Sequence, residues 1–230
     1  MFFTIYKEKT HMMTKSKAKA RSLSPREINK VLKRCLLMSN AELKRAALAL
    51  SFSTLRVSEA AQIIVSDVLS PTGEIKTEIA LRAALCKRRK PRVVWLSNQA
   101  RTLLQEWFDY RKSKQWATTF STEYQGLNPK SKVLLNQSGR SYSMKRKSRI
   151  NKAGEAVDYL ACDTLELLIR NIYQRCGLKG CSSHTGRRSY GTNMNGLGIE
   201  LSSIQRALGH ADPAMSLEYI DISGEQLSSV

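Results

Sequence analysis

Four residues near the carboxyl end carry side chains suited to one kind of chemistry. Within the stretch SSHTGRRSYGTNMNGLGIELSSIQRALGHADPAMSLEYID stand His184, Arg187, His210 and Tyr219. A guanidinium pairs with phosphate oxygens, an imidazole exchanges protons near neutral pH, and a phenol is a nucleophile once its proton is removed. Together they suit attack on a phosphate ester. Singly, each has an ordinary structural account: Arg187 as a surface cation, His210 as a helix cap, and Tyr219 as a core residue beside the apolar Ile220. The signal lies in the combination.

His-x-x-Arg, then Leu-Gly-His, then a tyrosine nine residues beyond that histidine resembles the tyrosine recombinase, or phage integrase, family. Upstream, STLRVSEAAQI looks like that family's first arginine segment, with Arg56 in the arginine position and Glu59 as the acidic residue that follows. In CKRRKPRVVWL, Lys87 stands five residues before Arg92, as the family's hairpin lysine stands before the strand that returns to the core. Lys87 is preferred to Lys90 as the catalytic lysine, although a solvated basic turn has the same look. The resemblance runs from about Leu23 to Tyr219 with its motifs in the family's order. It implies a site-specific DNA recombinase or integrase that cuts and rejoins strands through a transient bond between Tyr219 and a DNA phosphate.

Each role implied by the resemblance has a physical reason. In-line attack on a phosphodiester concentrates charge on the non-bridging oxygens, which the guanidinium forks of Arg56 and Arg187 can bind in pairs. His184 is the expected base for the Tyr219 proton, and Lys87 on its hairpin is the expected acid for the departing 5′-oxygen. His210 is expected to donate a hydrogen bond to the phosphate, with Glu59 orienting its neighbours. A 3′-phosphotyrosine keeps the energy of the broken linkage, so religation needs no nucleotide. With this many cationic groups around one phosphate no metal is required, and no cofactor is expected.

These groups need a scaffold that gathers distant stretches. The 230 residues, 42% of them hydrophobic, suffice for a substantial core. Helical patterning opens the chain, with Ser24 as cap, Pro25 at the first position, and Leu43, Ala46, Ala47 and Leu50 on one face. From PTGEIKT to VVWLS the texture changes to short β-branched runs, which predict a small antiparallel sheet with Lys87 to Lys90 on a charged hairpin. Ala100, Leu103, Leu104, Trp107 and Phe108 return to helical spacing as a core stripe. From Lys112 to Val157 the expectation is loops around one short strand, Val133 to Leu135. Leu165, Leu168, Ile169 and Ile172 predict a helix ended by Gly177, and short helical patterns follow from His184, Glu200 and Pro213. The predicted fold is mainly α with a small antiparallel β-sheet, an α+β catalytic domain.

Charge points to the partner. Thirty-eight Lys and Arg against nineteen Asp and Glu leave a formal charge of +19, which favours a polyanion through counterion release. Double-stranded DNA is the expected partner. The basic runs are read as backbone contacts, through Arg88, Arg89, Lys90 and Arg92 in one and Lys145, Arg146, Lys147 and Arg149 in the other, against the plainer account of a solvated face. No apolar run approaches the roughly 20 residues that span a bilayer. The odd, scattered set Cys35, Cys86, Cys162, Cys176 and Cys181 fits reduced thiols in a cytoplasmic, nucleoid-associated protein. Cys176, Cys181 and His184 lack the paired spacing of a zinc site.

The expected organisation is a basic arm over residues 1–22, the catalytic domain over 23–222 and a short tail over 223–230. Relatives usually carry an amino-terminal core-binding domain, so encirclement of DNA is expected to be incomplete or to rely on an accessory DNA-bending or core-binding partner. A homo-tetramer on two DNA sites is expected, with a monomer when free. The short tail puts its exchange between subunits in doubt. Gly186 stands where relatives commonly have an apolar residue, which predicts a looser start to that helix. Two rival readings remain: a type IB topoisomerase that relaxes supercoils, and a DNA-binding regulator that has lost cleavage.

Overall fold

The computed structural model describes residues 19–86, 90–151, 154–209, 213–217 and 219–221. In chain order it places α1 (Pro25–Cys35), α2 (Ala41–Phe52), α3 (Val57–Ala60), α4 (Val65–Val68), β1 (Glu78–Leu81), β2 (Arg92–Trp95) and α5 (Asn98–Ser113). There follow β3 (Lys145–Ile150), β4 (Ala156–Ala161), α6 (Asp163–Arg175), α7 (Thr185–Gly196), α8 (Leu201–Leu208) and α9 (Pro213–Leu217). The class is mainly α with small antiparallel sheets.

The start of α1 is written in its first residues. The Ser24 hydroxyl accepts from the Glu27 N–H at 3.3 Å, the Glu27 carboxylate accepts from the Ser24 N–H at 3.0 Å, and Pro25 holds the first helical position. Helix α2 forms the centre. Leu43, Ala46, Ala47 and Leu50 make the expected apolar face, and Leu48 and Ala49 are buried as well, so neighbours enclose the helix on most sides. Those neighbours are α1, α5, α6 and α7. Trp107 of α5 is fully buried with its indole N–H donating to the Val133 carbonyl at 2.7 Å. Gly177, at φ 72°, supplies the left-handed turn that ends α6.

Strands β1 and β2 pair antiparallel, from Glu78 opposite Trp95 to Leu81 opposite Arg92, and form the sheet expected there. The turn residues Lys87, Arg88 and Arg89 lie outside the described residues, as do most of the basic arm, His210 and the tail beyond Asp221.

The stretch from 112 to 157 departs from expectation twice. Val133, Leu134 and Leu135 are buried but irregular, joined to neighbours by isolated bridges at Lys132 and Leu135. Side chains of α5 take acceptors at the start of this stretch: besides Trp107, the fully buried Arg111 donates to the carbonyls of Val133 (3.3 Å) and Lys132 (3.0 Å) and to Ser131 Oγ (3.0 Å). The Lys132 and Val133 carbonyls, satisfied in this way, need no ladder. The second departure is the β3–β4 hairpin, in register from Lys145 opposite Ala161 to Ile150 opposite Ala156. Its residues are exposed or half-buried, so neither strand carries the apolar alternation that marks a half-buried sheet.

Cys35, Cys86, Cys162, Cys176 and Cys181 are free, all but the last of them buried. No helix among the described residues is long and apolar enough to cross a membrane.

Candidate active site

The turn between α2 and α3 organises the site. Thr54 lies in the left-handed region at φ 72°, a conformation that costs a β-branched residue roughly 1–3 kcal/mol and is sustained only when surrounding contacts demand it. Those contacts are two arginines. The Thr54 carbonyl accepts from Arg187 Nη1 and from Arg92 Nη2, the latter at 2.9 Å. The Thr54 hydroxyl accepts from Arg92 Nη1 at 3.1 Å and donates to the Ala207 carbonyl at 3.1 Å.

Two residues on, Arg56 caps α3. The buried Glu59 carboxylate reaches back to the Arg56 N–H at 2.8 Å and to Arg56 Nη1 at 2.7 Å, and also accepts from Arg92 Nη2 at 2.7 Å. Burial acts to raise the Glu59 pKa, but Arg92 and Arg56, together with the Arg56 N–H, hold it below the usual carboxylate value. The stability this linkage supplies is therefore fully present above the unfolded-state glutamate pKa, and is lost as pH falls through the lower folded-state value. Glu59→Gln leaves two guanidiniums facing a neutral amide. Breaking a buried pair on one side costs on the order of 3 kcal/mol, so urea unfolding of this variant is expected to show a loss of that size at neutral pH. An unchanged midpoint contradicts the placement.

Arg92 corrects an expectation. It was expected to meet the DNA backbone, yet its side chain is only 7% exposed and joins β2 to Thr54, Glu59 and the Ala207 carbonyl (3.0 Å). The missed signal is period two: Arg92 stands two residues before the buried Val94 and so shares its inward face. Gly209 depends on the same side chain. At φ 62° it closes α8, and a Cβ there would sit 2.3 Å from Arg92 Cδ. The glycine of Leu-Gly-His thus lets the segment leading to His210 lie against Arg92.

Helix α7 brings the second cluster. Ser182 and Thr185 form the turn that starts it, with the Ser182 N–H donating to Thr185 Oγ1 at 2.9 Å and the His184 N–H donating to Ser182 Oγ at 3.2 Å. His184 and Arg187 are three residues apart and therefore neighbours on the helix surface. Arg187 is 1% exposed, and its Nη2 donates to the Leu208 carbonyl at 2.5 Å. Burial first, then the charges of Arg56 and Arg92, push its pKa down to about 9, which leaves it protonated at neutral pH.

Tyr219 meets both. Its hydroxyl lies 3.4 Å from His184 Nδ1, and Arg187 Cζ lies 5.6 Å from the centre of its ring. The neighbouring Ile220 packs with Ile204 and Leu208, and Tyr219 rests partly against the same cluster, so this apolar patch anchors the segment while the phenolic oxygen reaches toward His184. Loss of hydration around the ring lowers the His184 pKa, with Arg187 and Arg56 acting the same way and Glu166 opposing them. A neutral imidazole beside a phenol can accept its proton.

Gly186 also corrects an expectation. A Cβ there would fall 2.2 Å from Ser51 Oγ and 2.6 Å from the Ser51 carbonyl oxygen. The start of α7 is in tight contact with the end of α2, where an apolar side chain would not fit. Gly186→Ala must push the helices apart, at a cost of about 1–3 kcal/mol by comparison with other overpacked cores, and shift Arg187 with them. A thermal melt is expected to show the loss, whereas full stability would contradict this contact.

The structure thus brings Arg56, Glu59, His184, Arg187 and Tyr219 together, and adds Thr54 and Arg92. Lys87, Arg88, Arg89 and His210 lie outside the described residues. Lys90 is exposed. Lys145, Arg146, Lys147 and Arg149 lie on β3, outside this cluster, and β4 packs against α3. Lys147 pairs with Asp163 at 2.6 Å, Arg146 with Asp158 at 3.4 Å, and Arg149 lies 5.7 Å from the centre of the Tyr159 ring.

Comparison with known proteins places this arrangement. The sequence model of the Phage integrase family matches residues 21–226. Tyrosine recombinase XerC of Roseiflexus castenholzii (strain DSM 13941 / HLO8) is 25% identical over 209 residues, which cover 89% of this chain and 56% of that protein. XerA recombinase has a similar fold, with a TM-score of 0.65 at 18% identity, covering 98% of this chain and 65% of that one. XerH site-specific recombinase, solved with its palindromic difH substrate as a post-cleavage complex, gives 0.63 at 22% identity, covering 93% and 53%. The chain spans about half the length of the curated relatives it matches, 56% and 50%. With the family's sequence model matched over nearly its whole length, and a similar fold in solved recombinases, the chain belongs to the phage integrase family.

Proposed function

We propose that this chain is the catalytic part of a site-specific DNA recombinase or integrase in which Tyr219 attacks a DNA phosphodiester and forms a covalent 3′-phosphotyrosine. The observation that carries the reading is the placement of the Tyr219 hydroxyl 3.4 Å from His184 Nδ1 with its ring beside Arg187, all within one chain. The XerH complex with its own DNA substrate supports DNA as the partner.

In this mechanism Arg56 and Arg187 bind the non-bridging oxygens as charge grows on them, with Glu59 and Arg92 holding Arg56 and the Thr54 turn in place. Arg187 Cζ lies 5.6 Å from the centre of the Tyr219 ring, which keeps the phosphate clamp and the nucleophile side by side. His184 takes the phenolic proton. Lys87 protonates the 5′-oxygen as the phosphorus–oxygen bond breaks, and His210 donates to the phosphate. The freed 5′-hydroxyl of a second strand then attacks phosphorus, expels the tyrosine and seals the new junction without ATP. Lys90 and the cations of β3, Lys145, Arg146, Lys147 and Arg149, contact the duplex backbone, as do Arg88 and Arg89. The catalytic domain spans 23–222, acts as a tetramer on two sites, and works in the cytoplasm.

The low His184 pKa has a kinetic consequence. A base that must be neutral works at every pH above its own pKa, so the acid limb of the cleavage rate is expected below the ordinary histidine value of about 6.5. Single-turnover rates measured against pH check this, and an acid limb above that value contradicts the assignment.

The function is tested with a pooled library of nicked suicide duplexes, randomised in sequence, followed by exchange between two copies of any site recovered. A detergent-resistant adduct together with exchange is the expected result. An adduct with supercoil relaxation but no exchange makes the chain a topoisomerase. Tight binding without any adduct makes it a regulator.

A further inference from the structure

One face of α7 points away from the active site and grips two segments distant in sequence. Arg188, Ser189, Thr192 and Asn193 share it, at spacings of one, four and five residues. Arg188 is 5% exposed and pairs through Nη2 with Asp221 Oδ1. The Ser22 hydroxyl donates to the other Asp221 oxygen at 2.6 Å. Thr192 Oγ1 accepts from the Asp221 N–H at 3.1 Å and donates to the Tyr219 carbonyl at 3.4 Å. Ser189 and Asn193 hold the leading segment: the Leu23 N–H donates to Ser189 Oγ at 2.8 Å, and Asn193 Nδ2 donates to the Leu23 carbonyl at 3.2 Å.

We infer that Arg188 and Asp221 are positioning residues, a clasp that fixes the Tyr219 segment in its own chain and ties it to the segment that leads into the catalytic region. The inference rests on the reading of Tyr219 as the nucleophile. The geometry favours it because the helix before Tyr219 is only five residues long, so the register of the phenol depends on what holds the chain after it. Ile220 supplies an apolar anchor, which resists withdrawal but leaves the backbone free to turn. The ionic contact at Asp221 and the two bonds at Thr192 are directional, and together they define the angle at which the phenol enters the pocket. Arg188 differs from Arg187 accordingly: the two are adjacent in sequence, yet one belongs to the pocket and the other to the tyrosine's support. The shared carboxylate also links residues 22–23 to the nucleophile, so a pull on the leading segment reaches Tyr219 through Asp221.

Asp221 is exposed, so its replacement tests the clasp without emptying the core. On suicide duplexes that the parent chain attacks, Asp221→Ala is expected to slow adduct formation at saturating DNA by about 10- to 100-fold, the scale of misplacing a reacting group by about 1 Å. DNA affinity is expected to stay unchanged, and Asp221→Glu to recover most of the rate. A mixture of Tyr219→Phe and Arg187→Ala chains is expected to form adduct no faster than Arg187→Ala alone, because a clasped tyrosine serves only its own pocket. A parent-like rate in Asp221→Ala, a loss that Asp221→Glu leaves unrestored, or adduct from the mixture well above that of Arg187→Ala alone overturns the clasp alone. Absence of any adduct from the parent chain overturns the recombinase reading and the clasp with it.

Discussion

Tyr219→Phe is expected to abolish the covalent protein–DNA adduct while the protein still folds and binds DNA. The substitution removes one oxygen. It keeps the ring that lies 5.6 Å from Arg187 and leaves Ile220 in its apolar cluster. The lost contact to His184, at 3.4 Å, is at the outer limit of hydrogen bonding, so stability is expected to change by no more than about 1 kcal/mol. Removal of the nucleophile itself is expected to lower the cleavage rate on the order of 10⁴-fold or more. Detergent gels of suicide-substrate reactions measure the adduct, and fluorescence anisotropy measures binding. Continued cleavage by the phenylalanine variant would remove Tyr219 from the mechanism.

Arg187→Ala carries the second large effect, and here stability and rate must be separated. The side chain donates to the Thr54 and Leu208 carbonyls, so alanine removes both bonds, with Arg92 still donating to the first carbonyl, and is expected to cost about 1–3 kcal/mol in urea unfolding. The cleavage rate is expected to fall at least about 10²- to 10³-fold, the scale for removing one preorganised donor from a developing oxyanion. Arg187→Lys distinguishes the two losses: an ammonium keeps the charge but cannot span both carbonyls and a phosphate oxygen in one plane. A folded lysine variant that remains slow supports a transition-state role. A lysine variant with the parent rate reduces Arg187 to a structural cation.

The parts of this account that were legible in the sequence are those where local and tertiary demands agree. Ser24 and Pro25 announce the start of α1, and a spacing of three set Glu59 beside Arg56 at the first turn of α3. His184, Arg187 and Tyr219 were legible through their order and spacing. Arg92 was not, because it ends a basic run that has the composition of a solvated turn, and only its two-residue offset from Val94 marks it as inward. Thr54 gives no local sign either: a threonine in the left-handed region is imposed by two guanidiniums that come from β2 and α7. The β3–β4 hairpin was hidden for the opposite reason, since strands that face solvent on both sides carry no apolar period. Gly186 was read as a weakness because its partner, Ser51, lies far away in sequence and only the fold brings the two backbones together.

The central claim is that one particular oxygen becomes bonded to DNA phosphorus. Its most direct test is to trap the unmodified chain on nicked suicide duplexes, digest both polymers and locate the modified peptide by mass spectrometry. The account predicts a nucleotide joined through its 3′-phosphate to Tyr219. A nucleotide on any other residue, or one attached through its 5′-phosphate, would contradict it.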